Sequence, residues 1–296
     1  MEPTISPSVR HTLVSAADGV PLNVVEAGSG DGSADGVLLI HGSNQSHICW
    51  KRQLESDLAQ HLHLVALDLR GHGNSGKPWT RDSYQRTEIW ADDISRVMDA
   101  TVLKRPLLVA WSFGGWIAMH YIRHFGIDRL AGLVLVATRA GIVPMPPPRS
   151  GVSSAMGGFT DGYMGQNMAA AQAFTDRLVA DPADPDWQPS ALASALCVPP
   201  YVRAAMRPPL LLADDQPLVN NEDLADSLDL PVQLVFGGRD GLMDSAAVAA
   251  EFAERLPRAA ARIHSQAGHA VFFEAAAAFN SDLLALAREQ HGLELS

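Results

Sequence analysis

The fold of this chain is decided by residues 107–119, which read LLVAWSFGGWIAM. The apolar start of this stretch predicts a buried strand, and the pattern after it predicts a helix. Ser112 stands at their junction, with the small residues Ala110 and Gly114 two positions away on either side. This arrangement is typical of a nucleophile elbow, a tight turn that holds a serine hydroxyl clear of the backbone. The N-terminus of the new helix would stabilise negative charge beside that hydroxyl. Ala110 replaces the usual first glycine of the G-x-S-x-G pattern.

A serine hydroxyl is a weak nucleophile, so it needs a general base and a carboxylate that orients this base. Open α/β sheets place such groups after the carboxyl ends of their strands. Asp240 and His269 each follow a predicted strand, and His269 stands in a Gly-His turn. We predict Ser112 as the nucleophile, His269 as the base and Asp240 as the orienting acid. Asp244 is the alternative acid, but Asp240 lies closer to its strand.

An oxyanion hole is the second requirement of such a site. The turn after the third predicted strand begins with His41 and Gly42, and Gly42 lets the backbone direct a free N–H toward a pocket. We predict that the N–H groups of Ser43 and Phe113 bind the oxyanion. Asn44 could add a side-chain donor, or it could equally cap the helix that follows. His41 is interpreted as structural.

Strand-like and helix-like segments alternate along the chain, which favours an α/β fold with a mostly parallel eight-stranded sheet flanked by helices. The predicted strands are His11–Ser15, Leu22–Glu26, Val37–Ile40, His63–Leu69, Leu107–Ala110, Leu133–Ala137, Val232–Phe236 and Ala260–Ser265. The predicted helices are Trp50–His61, Ile89–Ala100, Gly115–Phe125, Ala246–Leu256 and Ala275–Arg288. The dipeptide Asp18-Gly19 predicts a hairpin between the first two strands.

This alternation stops between residues 141 and 228, which carry no strand pattern and are rich in methionine and aromatic residues. We predict that 141–228 is a helical cap inserted into a core formed by 1–140 and 229–296. Most apolar side chains of this segment are expected to pack the cap onto the core. Some would shape an apolar pocket, since methionine adapts to irregular ligands. The candidates for lining that pocket are Asn44, Trp111, Met145, Phe159 and Met164.

Composition narrows the class of partner. The chain has 296 residues, of which 47% are hydrophobic and 19% charged, as in a globular protein. Its net charge of -11 argues against nucleic acid or an anionic membrane as the main partner. We expect a small-molecule substrate, no metal and no cofactor, because no metal-ligand pattern or nucleotide-binding loop occurs. No apolar run of transmembrane length and no signal peptide are present, so we expect a cytoplasmic protein. The oligomeric state stays open.

The segment from Asp68 to Ser75 looks like a functional motif, but we interpret it as structural. Its glycines permit a tight turn, and the side chains of Asp68 and Arg70 can satisfy buried backbone groups.

Together these motifs resemble the α/β-hydrolase superfamily. The resemblance rests on His41-Gly42, Asp68 to Ser75, Ala110 to Gly115, Gly237 to Asp240, and Gly268-His269 followed by Phe272-Phe273-Glu274. It is nearest to small bacterial esterases, cofactor-free haloperoxidase-like perhydrolases and carbon–carbon bond hydrolases, whose insertion after the sixth core strand is a helical cap. Haloalkane dehalogenases and epoxide hydrolases use an aspartate at the elbow, so Ser112 argues against both activities. Many relatives also carry a proline soon after the His-Gly pair, where this chain has Ser43-Asn44-Gln45.

The resemblance and the residues together predict a serine hydrolase that cleaves an acyl bond through an acyl-enzyme. The expected substrate is a carboxylic ester of small or medium size and apolar character. A lactonase or a carbon–carbon bond hydrolase would use the same triad. A different class is a sensor that binds a small apolar molecule on a hydrolase scaffold with little turnover, because fold alone does not fix function.

Overall fold

The structure is a computed structural model that describes residues 9–28, 36–144, 164–210 and 220–292. Eight strands form one sheet in the order β1-β2-β4-β3-β5-β6-β7-β8. The strands are β1 Arg10–Ser15, β2 Pro21–Ala27, β3 Gly36–Ile40, β4 His63–Leu67, β5 Leu107–Trp111, β6 Gly132–Val136, β7 Val232–Gly237 and β8 Ala260–His264. All eight predicted strands are confirmed. The strands from β2 to β7 are buried in the sheet, whereas the edge strands β1 and β8 are mostly exposed.

The sheet is mostly parallel, as predicted. β1 pairs antiparallel with β2, and β2 pairs antiparallel with β4. Every pairing from β4 through β3 and β5 to β8 is parallel. The carboxyl ends of these strands therefore meet at one edge. All residues of β3, β4, β5 and β6 are buried, as expected for strands covered on both faces.

Helices cover both faces of the sheet. The helices are α1 Lys51–Leu54, α2 Leu58–His61, α3 Asp82–Gln85, α4 Thr87–Ala100, α5 Phe113–Phe125, α6 Met164–Asp176, α7 Gln188–Leu196, α8 Pro200–Leu210, α9 Ser245–Arg255, α10 Val271–Glu274 and α11 Ala276–His291. One apolar cluster joins α4, α5 and α9 to the sheet, and a second joins α1, α2, α10 and α11 to its other face. Among the described helices, none is long and apolar enough to cross a membrane.

One predicted helix is wrong in form. The segment predicted as a single helix over Trp50–His61 is a 3₁₀ turn, His47–Trp50, followed by the two short helices α1 and α2. Ser56 lies at the break, where its hydroxyl donates to the carbonyl of Gln53 at 2.7 Å and accepts from the N–H of Leu58 at 3.2 Å. A serine side chain that bonds to the backbone in this way competes with helix continuation.

The insertion, residues 141–228, lies between β6 and β7 in the chain. Its described residues form α6, α7, α8 and a 3₁₀ helix, Glu222–Ser227, and they contain no strand. Helix α7 packs against α6 and against the 3₁₀ turn that precedes α1. The insertion thus reaches the same end of the sheet at which β3 terminates.

Candidate functional site

The turn between β5 and α5 holds Ser112 in a rare backbone conformation. Its φ is 52° and its ψ is −115°, a combination that strains a residue with a side chain. The N–H of Ser112 donates to the carbonyl of Val136 at 2.9 Å, and the N–H of Gly115 donates to the carbonyl of Ser112 at 3.0 Å. Ser112 is partly exposed, whereas Trp111 and Phe113 are buried. Solvent therefore reaches the serine but hardly reaches its neighbours.

The elbow packs tightly against the turn that follows β3. A Cβ atom added at Gly114 would lie 2.7 Å from the carbonyl oxygen of Ile40 and 2.8 Å from that of His41. One added at Gly42 would lie 3.2 Å from the Cβ of Ser112. A side chain at Gly114 would clash with backbone carbonyls, and one at Gly42 would force neighbouring side chains to shift. The elbow and the turn after β3 are therefore in close contact.

That turn contains the predicted oxyanion donors. Phe113 is the first residue of α5, so its N–H has no acceptor inside the helix. The N–H of Ser43 donates to none of the described residues. Asn44 is buried at φ 56°, and its Nδ2 donates to the Oγ of Ser43 at 3.0 Å. Asn44 caps no helix, because the following 3₁₀ turn begins after Ser46.

Asp240 and His269 meet at the carboxyl ends of β7 and β8. The Nδ1 of His269 lies 2.7 Å from the Oδ2 of Asp240, and the two side chains are 1% and 0% exposed. The other oxygen, Oδ1, accepts the N–H groups of Leu242 at 2.7 Å and Met243 at 3.1 Å. Asp244, the alternative acid, instead accepts the N–H of Ala247 at the start of α9. The structure therefore pairs His269 with Asp240.

This pairing fixes the chemistry of the imidazole. Because the Asp240 carboxylate accepts a hydrogen bond at Nδ1, the proton of neutral His269 lies on that nitrogen. Its Nε2 then carries a lone pair, and this atom is buried and has no hydrogen-bond partner among the described residues, Ser112 included. A buried imidazole in this state can accept a proton at Nε2.

Trp111, predicted to line a pocket, packs against His269. Its Nε1 donates to the carbonyl of His269 at 3.0 Å, and its ring centroid lies 5.7 Å from that of the imidazole. Met145 and Phe159 fall outside the described residues. Met164 is the first residue of α6, and its side chain is not described. The pocket assignment of these residues stays a prediction.

Sequence reasoning missed Arg203, a buried arginine on α8. Its Nε donates to the Oδ1 of Asn44 at 2.9 Å, and an Nη donates to the Oδ1 of Asn167 at 2.6 Å. Burial lowers the pKa of Arg203 to about 10, so it stays protonated near neutral pH. Arg203 therefore links the insertion to the turn that holds Ser43. No sequence pattern joins positions so far apart.

The side chain of Asp68, the first residue of the motif from Asp68 to Ser75, bonds to nearby backbone N–H groups, as the structural interpretation predicts. Asp68 accepts the N–H groups of His47 at 2.6 Å and Asn74 at 2.9 Å. Burial opposes the charge of Asp68, but hydrogen bonds from His47 and Asn74 and the charge of His47 lower its pKa to about 2. Arg70 forms a buried ion pair with Asp93, with its Nε 2.6 Å from the carboxylate.

His41 is structural, as interpreted. Burial lowers the pKa of His41 to about 4, so its ring is neutral near pH 7. Its Nε2 accepts the N–H of Leu69 at 3.0 Å, and its Nδ1 therefore donates to the carbonyl of Gly42 at 2.7 Å. This ring ties the turn after β3 to the end of β4.

Known proteins are similar to this chain in sequence and fold. The chain is 27% identical over 269 residues to the pimeloyl-acyl-carrier-protein methyl ester esterase of Vibrio atlanticus, covering 87% of this chain and 96% of that protein. It is 32% identical over 143 residues to the 2-hydroxymuconate semialdehyde hydrolase of a Pseudomonas species, 47% of each chain. A solved esterase from a Rhodococcus species superposes with a TM-score of 0.79 at 27% identity, covering 95% of this chain and 99% of that one.

A model of the alpha/beta hydrolase family matches residues 37–282, which include every strand from β4 to β8 and each residue of the elbow. Such a match spans most of the chain and agrees with the sheet order and the elbow described above. The chain therefore belongs to the alpha/beta hydrolase family and is a hydrolytic enzyme of that family.

Proposed function

We propose that this protein is a serine hydrolase that cleaves the acyl bond of a small or medium apolar carboxylic ester. One observation carries the proposal. The buried His269 is held by Asp240 at Nδ1, and its Nε2, which has no hydrogen-bond partner among the residues that the structure describes, lies at the sheet edge where the elbow displays Ser112. The names of the Vibrio and Rhodococcus relatives support an ester as the substrate class.

The proposed reaction has two stages. In the first, the Oγ of Ser112 attacks the ester carbonyl while the Nε2 of His269 takes the hydroxyl proton. The N–H groups of Ser43 and Phe113 stabilise the oxyanion, where losing one donor costs about 3–4 kcal/mol in comparable sites. The C–O bond then breaks, and the alcohol leaves with the proton from His269. In the second stage His269 activates water, which releases the acid from Ser112.

In this proposal the insertion, residues 141–228, acts as a cap over the site. Its described helices contribute buried polar contacts to the turn beside Ser112. The predicted lining residues Asn44, Trp111, Met145, Phe159 and Met164 would give the pocket an apolar character with few polar groups, which suits neutral substrates.

Labelling with a fluorophosphonate probe tests the nucleophile without any guess about the natural substrate. We expect intact and peptide mass spectrometry to show one adduct, located on Ser112. The Ser112→Ala variant and heat-denatured protein, which keeps the serine but loses the site, should carry none. A panel of alkyl esters, aryl esters, lactones and 2-hydroxymuconate semialdehyde then defines the substrate class. Absence of an adduct on folded native protein would contradict the proposal and favour the sensor alternative.

A further inference from the structure

A short segment of the insertion lies across the loop that carries Asp240. This segment, residues 177–181, follows α6, and we call it the strap. The side chain of Arg177 donates to the carbonyl of Gly241, from Nε at 3.2 Å and from Nη2 at 2.7 Å. The strap is therefore bound to the residue that directly follows Asp240.

The same strap is bound to the loop that carries His269. The carbonyl of Leu178 accepts the N–H of Ala270 at 2.7 Å. A Cβ atom added at Gly268 would lie 2.6 Å from the backbone N of Ala180, so the two backbones are in close contact. The strap thus touches the residues on both sides of His269.

Glu274, at the end of α10, joins the strap to the histidine loop. Its Oε2 accepts the N–H of Gly268 at 2.6 Å, and its Oε1 accepts the N–H groups of Ala180 at 2.7 Å and Asp181 at 3.3 Å. One carboxylate thereby satisfies three backbone donors from two separate segments. Hydrogen bonds from N–H groups to an ionised carboxylate are stronger than those to a neutral acceptor.

We propose that Glu274 is a positioning residue that fixes the backbone of His269 between the strap and α10, and so directs its Nε2 toward Ser112. The inference rests on the proposed function, since it concerns the same base. The N–H before His269 is held by Glu274 and the N–H after it by the strap, so the imidazole has a fixed base on both sides. A displacement of about 1 Å at a reacting group can cost on the order of 100-fold in rate.

The Glu274→Gln variant tests this role. An amide offers one acceptor oxygen, and its NH2 group would face backbone N–H donors, so it cannot serve both the loop and the strap. We expect kcat for an activated ester to fall about 10- to 100-fold while KM changes little. The far-downfield proton resonance of the His269 Nδ1–H should shift or broaden. Glu289→Gln, at an exposed position of α11, is the matched control and should leave both unchanged.

A purely structural role would lower thermal stability and leave kcat and the downfield resonance of the folded enzyme at native values, and that result would overturn the proposal. If Glu274→Gln does not fold, Glu274→Asp tests the same role, because its carboxylate is one methylene shorter and reaches less far toward the loop and the strap. It should lower kcat with little change in KM, and native kcat in Glu274→Asp would overturn the proposal. Phosphonate labelling separates the two proposals. An unlabelled native enzyme would refute the serine mechanism, whereas equal labelling rates for native and Glu274→Gln proteins would refute only the role of Glu274.

Discussion

The Nδ1 of His269 lies 2.7 Å from the Oδ2 of Asp240, and the second oxygen of this carboxylate is held by the N–H groups of Leu242 and Met243. Asp240 is therefore fixed on both sides, by two backbone donors and by the imidazole. Because neither side chain of the pair is exposed, solvent contributes little to their orientation. A change in charge at Asp240 should act directly on His269.

Asp240→Asn should lower kcat about 10³- to 10⁴-fold, because an amide can donate to Nδ1 and so favours the tautomer with its proton on Nε2. Steady-state hydrolysis of an activated ester measures this loss. Asp244→Asn is the matched control, since asparagine caps a helix as well as aspartate does and Asp244 serves α9. An equal loss of activity in both variants would contradict the assignment of Asp240.

Gly114→Ala should destabilise the protein, although replacing glycine by alanine in a helix usually stabilises it by about 0.5–1 kcal/mol. The new methyl group would meet the backbone carbonyls of Ile40 and His41, which cannot rotate away. Overpacking of this kind costs about 1–3 kcal/mol, measurable by urea denaturation. Ala110→Gly restores the commoner elbow residue and should keep native kcat. A Gly114→Ala protein as stable as the native one would refute the tight packing of the elbow.

Asn44→Ala should cost more stability than Asn44→Gly, by about 1 kcal/mol. Both substitutions remove the side chain that binds Ser43 and Arg203, but only alanine is strained in the left-handed conformation at φ 56°. Urea denaturation of both variants measures the difference. A double-mutant cycle of Asn44→Gly with Arg203→Met should give a coupling of at least about 0.5 kcal/mol. Additive effects would show that the contact between Asn44 and Arg203 contributes nothing.

His120 should make the protein less stable in acid. Burial, with smaller contributions from His124 and Arg123, lowers the pKa of His120 to about 3, and neither ring nitrogen has a partner among the described residues. His120 of the unfolded chain therefore binds a proton as the pH falls below 6.5, whereas His120 of the folded chain does so only near pH 3. The free energy of unfolding is therefore unaffected by His120 above about pH 6.5 and decreases as the pH falls toward 3.

Between pH 7 and pH 5, the free energy of unfolding of His120→Phe should fall by about 2 kcal/mol less than that of the native protein. It breaks no hydrogen bond of the described residues, so it should fold at pH 7. Urea denaturation at both pH values gives the comparison. His61→Gln, at an exposed position, is the control and should retain the native pH dependence. A native pH dependence in His120→Phe would show that His120 does not contribute to the loss of stability in acid.

The strands and the acid–base pair could be predicted because both depend on local patterns. Apolar runs mark the strands, and Asp240 and His269 each follow one of them. Parallel pairing of β7 with β8 then brings the two residues together at one sheet edge. The same logic places Ser112 there after β5.

Long-range polar contacts could not be predicted. Asn44 and Arg203 are 159 positions apart, and Ala180 and Glu274 are 94 apart, so neither pairing leaves a periodic signal. The sequence indicates that Glu274 belongs to a motif, but it does not indicate which backbone N–H groups its carboxylate accepts, because those of the strap approach it only in the folded structure. The break at Ser56 was missed because its cause is a side-chain hydrogen bond within an otherwise helical pattern.

Helices α7 and α8 form hydrogen bonds with three successive residues of the turn after β3. Asn44 binds Arg203, the Nε2 of Gln45 donates to the carbonyl of Ala191 at 3.3 Å, and the hydroxyl of Ser46 lies 2.9 Å from that of Ser194. A chimera that takes these helices from a relative without Arg203 and Ser194 would remove one buried side-chain contact each from Asn44 and Ser46. An exchange of the helices should therefore preserve stability best when positions 44 and 46 are exchanged with them.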